Sequence, residues 1–203
     1  AIDGIDGLVV TQLDYMRALN DIIKDTSMDD WKVFLTWKAL DANAALLNEE
    51  LDQQNFEFYS KTLRGIEEPL PRWKRAVANV NGNLGEVVGK VYVARHFPPV
   101  AKEQMMELVN NLIKAYEISI RELDWMGDET KTQALDKLSK FTPKIGYPDS
   151  WEDYSRLDIE ADDLVGNMRR SAMFVYEKNL ARQGGPVDKS EWAMTPQTVN
   201  AYY

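Results

Sequence analysis

The sequence predicts a mainly α-helical chain with a few short strands. Three observations carry that prediction. Apolar residues recur at helical spacing in three long stretches, the breaks between them are short and marked by proline or glycine, and alternating strand patterns are scarce. No internal repeat and no low-complexity segment interrupts the 203 residues.

The first extended piece is Leu8-Val9-Val10. Thr11 then stands where an N-cap would, ahead of Tyr15, Met16, Leu19, Ile22 and Ile23 on one helical face. Ser27 is a second N-cap candidate, for a long helix beginning near Trp31, with Asp29 and Asp30 favourable in its first turn. Glu67-Glu68-Pro69-Leu70-Pro71 is a break.

Trp73, Val77, Val80, Leu84, Val88 and Val91 follow at steps of 4, 3, 4, 4 and 3, one apolar stripe ended by Phe97-Pro98-Pro99. Met105, Leu108, Leu112, Tyr116, Ile120 and Leu123 form the second stripe. Asp128 is placed to cap a helix holding Ala134, Leu135, Leu138 and Phe141. The longest irregular stretch is FTPKIGYPDSWEDYSRLDIEADD, with a short extended piece near Lys144 to Tyr147. Leu164, Met168, Ala172, Val175 and Leu180 make the third stripe, halted by Gly184-Gly185-Pro186. The chain closes on Thr198-Val199-Asn200-Ala201-Tyr202-Tyr203, strand-forming residues without a cap or polar tail. At the other end, Ala1-Ile2-Asp3-Gly4 carries neither an initiator methionine nor a basic-headed leader. The expectation is a piece of a longer polypeptide.

Composition narrows the chemistry. Charged residues are 28% and hydrophobic residues 44%, as in soluble globular proteins. Thirty-three acidic against 24 basic side chains give a formal charge of −9, which disfavours a nucleic-acid partner. The basic run Arg72-Trp73-Lys74-Arg75 reads as a solvated helix face. Cysteine is absent, so disulfides, thiolate chemistry and Cys-ligated zinc are excluded. No apolar run reaches the roughly 18 residues a membrane span needs, so no membrane contact is expected from this segment.

The helix VNGNLGEVVGKVYV places Gly82, Gly85 and Gly89 at i, i+3 and i+7, on one face. Each interior glycine costs a helix about 1 kcal/mol relative to alanine, so another backbone is expected to pack closely there. A phosphate cradle fails on context, with no G-x-G-x-x-G and no preceding parallel strand. The single histidine, His96, stands at that helix's C-terminal end without ligand spacing around it. The acidic doublets Asp29-Asp30, Glu49-Glu50, Glu67-Glu68 and Asp162-Asp163 point about 100° apart on a helix and make no catalytic dyad. No G-x-S-x-G elbow exists. No catalytic residue and no metal ligand is therefore assigned.

Three segments together resemble the neprilysin family of zinc metalloendopeptidases. RWKRAVANVNGNLGEVVGKVYV (residues 72–93) is similar to its glycine-bearing helix, LDWMGDETKTQALDKLSKFTPKIGYPD (123–149) to its W-M-D…K-L…I-G-Y-P-D run, and VNAYY (199–203) to its N-A-[FY]-Y substrate strand. Weaker similarity reaches back to residue 1. The resemblance implies most of the helical lobe that caps the catalytic lobe, with residues 187–203 as linker and start of the catalytic-lobe substrate strand. It implies a peptide substrate added to that strand by β-augmentation, gripped by the Asn200 side chain and the Ala201 carbonyl. It implies zinc in the full-length enzyme and none bound by this segment, because the H-E-x-x-H helix and the later ligand lie beyond Tyr203. The segment alone is then expected to be inactive. Its partners would be peptide substrates and the remaining catalytic lobe, with oligomers possible through exposed lobe surface. The family works outside the cytoplasm, and a cysteine-free member suggests a bacterial one. The other reading is a stand-alone helical module that binds peptides or proteins without catalysis.

Overall fold

A computed structural model describes Gly7 and residues 9–202. Seven α-helices follow in order: α1 (Leu13–Asp25), α2 (Met28–Asn43), α3 (Glu49–Phe56), α4 (Arg72–His96), α5 (Pro99–Glu122), α6 (Asp128–Ser139) and α7 (Leu164–Ala181). A 3-10 turn at Ala44–Leu46 joins α2 to α3, and a π-helical turn at Glu57–Thr62 extends α3. The chain divides into two compact units. Of the described residues, those up to 72 together with 157–185 form one, and residues 73–156 with 186–202 form the other.

In the first unit, helix starts follow from capping chemistry. Ser27 caps α2, its hydroxyl oxygen accepting from the Asp30 amide (3.1 Å) and its O–H donating to Asp30 Oδ2 (2.7 Å). That reciprocal pair satisfies one orphan amide and sets an acid at the positive end of the helix. Asn48 caps α3 through the Leu51 amide, with Glu49 and Glu50 in the first turn. Thr11 does not cap α1. Gln12 holds that place with no side-chain bond.

Along α2, Trp31 meets Phe34 edge-on at 5.8 Å and Phe34 meets Trp37 at 5.9 Å. At its end, the Asp41 carboxylate accepts from Asn55 Nδ2 (3.1 Å) and the Tyr59 hydroxyl (3.2 Å), tying α2 to α3 and its π turn. Partial burial and then the Asp41 bond hold the Tyr59 hydroxyl above the ordinary tyrosine value. Asp163 caps α7 through the Gly166 amide (3.1 Å). Arg170 on α7 gathers the preceding loop, bonding the Asp158 carbonyl (3.0 Å) and pairing with Asp163 (3.0 Å). The acidic doublets at 29–30 and 49–50, and Asp163, are thus helix-start chemistry.

In the second unit, Pro98 and Pro99 open α5 where missing amides go unmissed. Helix α6 packs on α5, and Lys131 Nζ donates to the Arg121 carbonyl (2.9 Å) at the end of α5. Asp128 is the first residue of α6 and not its cap; Gly127 takes that place with extended backbone and no side-chain bond. The apolar stripes are less covered than their period suggests. Trp73, Val77, Val91, Leu108, Leu112, Tyr116 and Val175 are each about half exposed or more. Among the described residues the buried apolar side chains are Ala44, Pro148 and Phe174.

The expected short strands do not form ladders among the described residues. Leu8 and Tyr203 lie outside those residues. A strand needs a neighbour with which to exchange hydrogen bonds, and two of the three segments curl instead. The Tyr147 amide turns back to the Ile145 carbonyl (2.9 Å), and the Thr198 and Asn200 amides to the carbonyls of Thr195 (3.0 Å) and Thr198 (3.1 Å).

Candidate functional site

The closing segment lies against the glycine face of α4, inside the second unit. Gly85 and Gly89 are the two buried residues of that helix. A Cβ at position 85 would stand 2.6 Å from Thr195 Cγ2. At position 89 it would meet Pro196 Cδ at 2.9 Å, Trp151 Cζ3 at 3.2 Å and Gln197 Oε1 at 3.3 Å. The close neighbour at these glycines is therefore not another backbone, as the spacing led one to expect, but side chains of Thr195, Pro196, Gln197 and Trp151. Gly82 is not part of the contact, with no atom within 4 Å of its Cβ position. The helix breaks between these glycines, at Leu84 (φ −130°, ψ 36°), so residues 82 and 85 no longer share one continuous face.

Polar bonds complete the seat. Gln197 Nε2 donates to Asn81 Oδ1 (3.1 Å) and to the Gly85 carbonyl (3.0 Å). The hydroxyls of Thr195 and Thr198 lie 2.9 Å apart, closing the turn between them. Lys144 Nζ donates to the Glu191 carbonyl, and the Asp188 carboxylate takes the Ser190 amide (2.8 Å) and hydroxyl (2.6 Å).

From that seat the chain runs out to solvent. Val199 is 102% exposed, and Asn200 and Ala201 are also exposed. Asn200 Oδ1 accepts from the Ala201 amide (2.8 Å), and the Tyr202 hydroxyl accepts from the Ala193 amide (3.3 Å). Among the described residues, no backbone amide reaches the carbonyls of residues 199–201. The two residues expected to bind substrate are thus adjacent and accessible, with free backbone acceptors beside them.

Behind the seat stands an aromatic stack. Phe97 meets Tyr147 edge-on at 5.8 Å, and Tyr147 stacks on Trp151 at 6.3 Å with ring planes 5° apart. Lys102 Nζ sits 4.3 Å over the Tyr147 ring while donating to the Tyr147 carbonyl (2.8 Å) and Asp149 (2.7 Å). Gly146 makes the turn possible: its φ is +76°, and a Cβ there would lie 2.4 Å from Phe97 Cε1. Glu86 Oε2 on α4 accepts from the Glu152 amide (2.6 Å). Burial nearby pushes the Tyr154 hydroxyl above its ordinary value.

His96 ends α4 beside the Tyr92 ring, 5.1 Å away. Among the described residues no group of three or more His, Cys, Asp or Glu side chains is placed to hold a metal ion. A zinc site does not fit these residues. The basic run at the start of α4 is exposed at Arg72, Trp73 and Lys74, with Lys74 Nζ 5.5 Å from the Trp73 ring centre. Sequence reasoning missed Thr195, Pro196 and Gln197. The glycine face announced a close neighbour but could not say which part of the chain supplies it.

Residues 2–148 match the family model described as Peptidase family M13. Human neprilysin is 27% identical over 212 residues, covering 100% of this chain and 28% of the relative. Neprilysin-11 of Caenorhabditis elegans is 25% identical over 204 residues, covering 97% of this chain and 24% of the relative. The crystal structure of Mycobacterium tuberculosis zinc metalloprotease Zmp1 in complex with inhibitor is 48% identical, with a TM-score of 0.86. That match covers 97% of this chain and 29% of the Zmp1 chain. The cryo-EM structure of Zmp1 in the open state gives 49% identity and a TM-score of 0.85. The chain belongs to peptidase family M13, and it spans 24% and 28% of the length of the two curated relatives above.

Proposed function

We propose that this chain is the helical, substrate-enclosing part of a zinc-dependent endopeptidase that hydrolyses oligopeptides inside a cavity. In this reading it supplies the enclosure and the peptide-binding edge at Asn200 and Ala201, residues 187–203 lead into the catalytic lobe, and the zinc is held by other residues of the complete enzyme. The complete enzyme then acts outside the cytoplasm in a bacterium, and this segment alone does not cut peptides. None of the described helices is long and apolar enough to cross a membrane.

The observation that carries the reading is the exposed run 199–201 next to a segment built into the glycine face of α4. An extended peptide laid along it finds main-chain acceptors in place, which gives affinity without selecting strongly among sequences. Holding the peptide stretched also stills its scissile carbonyl for attack.

In the peptidase that carries this chain, Asn200→Ala is expected to lower kcat/KM for a quenched oligopeptide about tenfold, the size of one or two lost hydrogen bonds. The fold of the variant is checked by its melting temperature. Hydrolysis unchanged by Asn200→Ala overturns the substrate role of that side chain. A gene product with no downstream zinc-binding histidines that still binds an extended peptide would leave the stand-alone binding module as the better reading.

Surface exposure supports a covering partner. The chain exposes 16465 Å², whereas two separate compact units of half its length expose roughly 12,000 Å² together. The catalytic lobe is the cover proposed. Alone, the 203-residue chain is expected to bind a hydrophobic dye or to self-associate, read by fluorescence and light scattering. A monomer without dye binding rejects this.

A further inference from the structure

Gln197 lies outside the glycine-bearing helix, the I-G-Y-P-D run and the closing N-A-Y-Y stretch, yet its carboxamide occupies a particular place. One nitrogen, Nε2, donates to Asn81 Oδ1 (3.1 Å) and to the Gly85 carbonyl (3.0 Å). Leu84, the residue whose dihedrals leave the helical region, lies between those two acceptors. A single donor group therefore spans the break in α4, with one bond on each side. If the bend angle changes, the acceptors move relative to one another, and the amide cannot keep both bonds without moving as well.

The rest of the segment follows closely. Thr195 fills the space a Cβ at Gly85 would take, and Pro196 does so at Gly89. Past Gln197, the Thr198 amide bonds the Thr195 carbonyl (3.0 Å) and the Asn200 amide bonds the Thr198 carbonyl (3.1 Å). Asn200 thus stands three residues from the clamp, joined to it through these two bonds. We infer that Gln197 is a positioning residue: its carboxamide fastens the closing segment to both sides of the break in α4, so the bend at Leu84 sets where Asn200 and Ala201 are presented. That Asn200 and Ala201 meet a peptide rests on the function proposed above; the clamp itself does not.

Gln197→Glu separates shape from bonding. It keeps the side-chain outline, but a carboxylate has no donor and would face two acceptor oxygens. In the 203-residue chain, hydrogen exchange over residues 195–202 is expected to run about tenfold faster than in the unchanged chain at neutral pH, the scale of one to two lost hydrogen bonds. As acid protonates the carboxyl and restores one donor, the ratio to the unchanged chain at the same pH falls back toward one. Gln197→Ala stays fast at every pH, while Asn81→Asp, which keeps an acceptor, leaves the ratio near one. Amides of α5 and α6 serve as the internal reference. Exchange in Gln197→Glu equal to the unchanged chain at neutral pH, or a raised ratio that acid does not lower, overturns the clamp.

In the complete peptidase, Gln197→Glu is expected to lower kcat/KM for a quenched decapeptide about tenfold, with the same recovery in acid relative to the unchanged enzyme. Equal kcat/KM in the two proteins removes the link between clamp and substrate. A complete protein with Gln197 intact that cuts no peptide removes the proposed function instead, and the exchange ratio still decides the clamp.

Discussion

Gly146→Ala is expected to destabilise the chain by about 3 kcal/mol, the sum of a left-handed backbone forced on a side chain and a steric clash. In a chain of this size that lowers the melting temperature by about 10 °C. The backbone at 146 has φ +76°, and the added methyl would stand 2.4 Å from Phe97 Cε1 and 3.0 Å from Phe97 Cζ. Phe97 has little room to retreat because its ring meets Tyr147, which stacks on Trp151. Gly65→Ala separates the two causes: its φ is +69°, but nothing lies within 4 Å of its Cβ position. It should lose only the backbone part, about 1 kcal/mol. Thermal unfolding of both variants checks this, and equal losses would show that the Phe97 contact carries no weight.

Gly85→Leu is the second large effect. The first atom of the new side chain already overlaps Thr195 Cγ2, at 2.6 Å. Thr195 is β-branched, and its hydroxyl is held by Thr198 at 2.9 Å, so moving aside breaks the turn. The expected result is a loss of about 2–3 kcal/mol by overpacking, with residues 186–202 released to proteolysis. Gly82→Ala is the matched control in the same helix. With nothing within 4 Å, it should gain about 0.5–1 kcal/mol from helix propensity. An unchanged melting temperature for Gly85→Leu would reject the packing role of the glycine face.

What could be read from the sequence divides along physical lines. Local chemistry was legible: Ser27 is a cap because a hydroxyl before two acids satisfies its own helix. Capping at Thr11 and Asp128 was not, because a cap also needs the right backbone entry, which the sequence does not fix. Helical period was legible at Trp73, Val77 and Val91, but their exposure was not. Period reports that a face is apolar, not that something covers it. In α4 the buried positions are glycines, which carry no hydrophobic signal. The same limit applies at the candidate site. Asn200 and Ala201 stand out because they sit in a motif, whereas Gln197 works through a contact 112 residues away along the chain.

The π-helical turn at Glu57–Thr62 bears on how such chains can be aligned. It carries one residue more per turn than its surroundings, and Thr62 Oγ1 closes it by donating to the Glu57 carbonyl (2.8 Å). Helical phasing taken from α3 therefore slips by about 100° at Leu63 and Arg64, where the helix ends. A relative lacking one amino acid here would regularise into plain α-helix, so a single-position gap at 57–62 is the inexpensive place for an alignment to break.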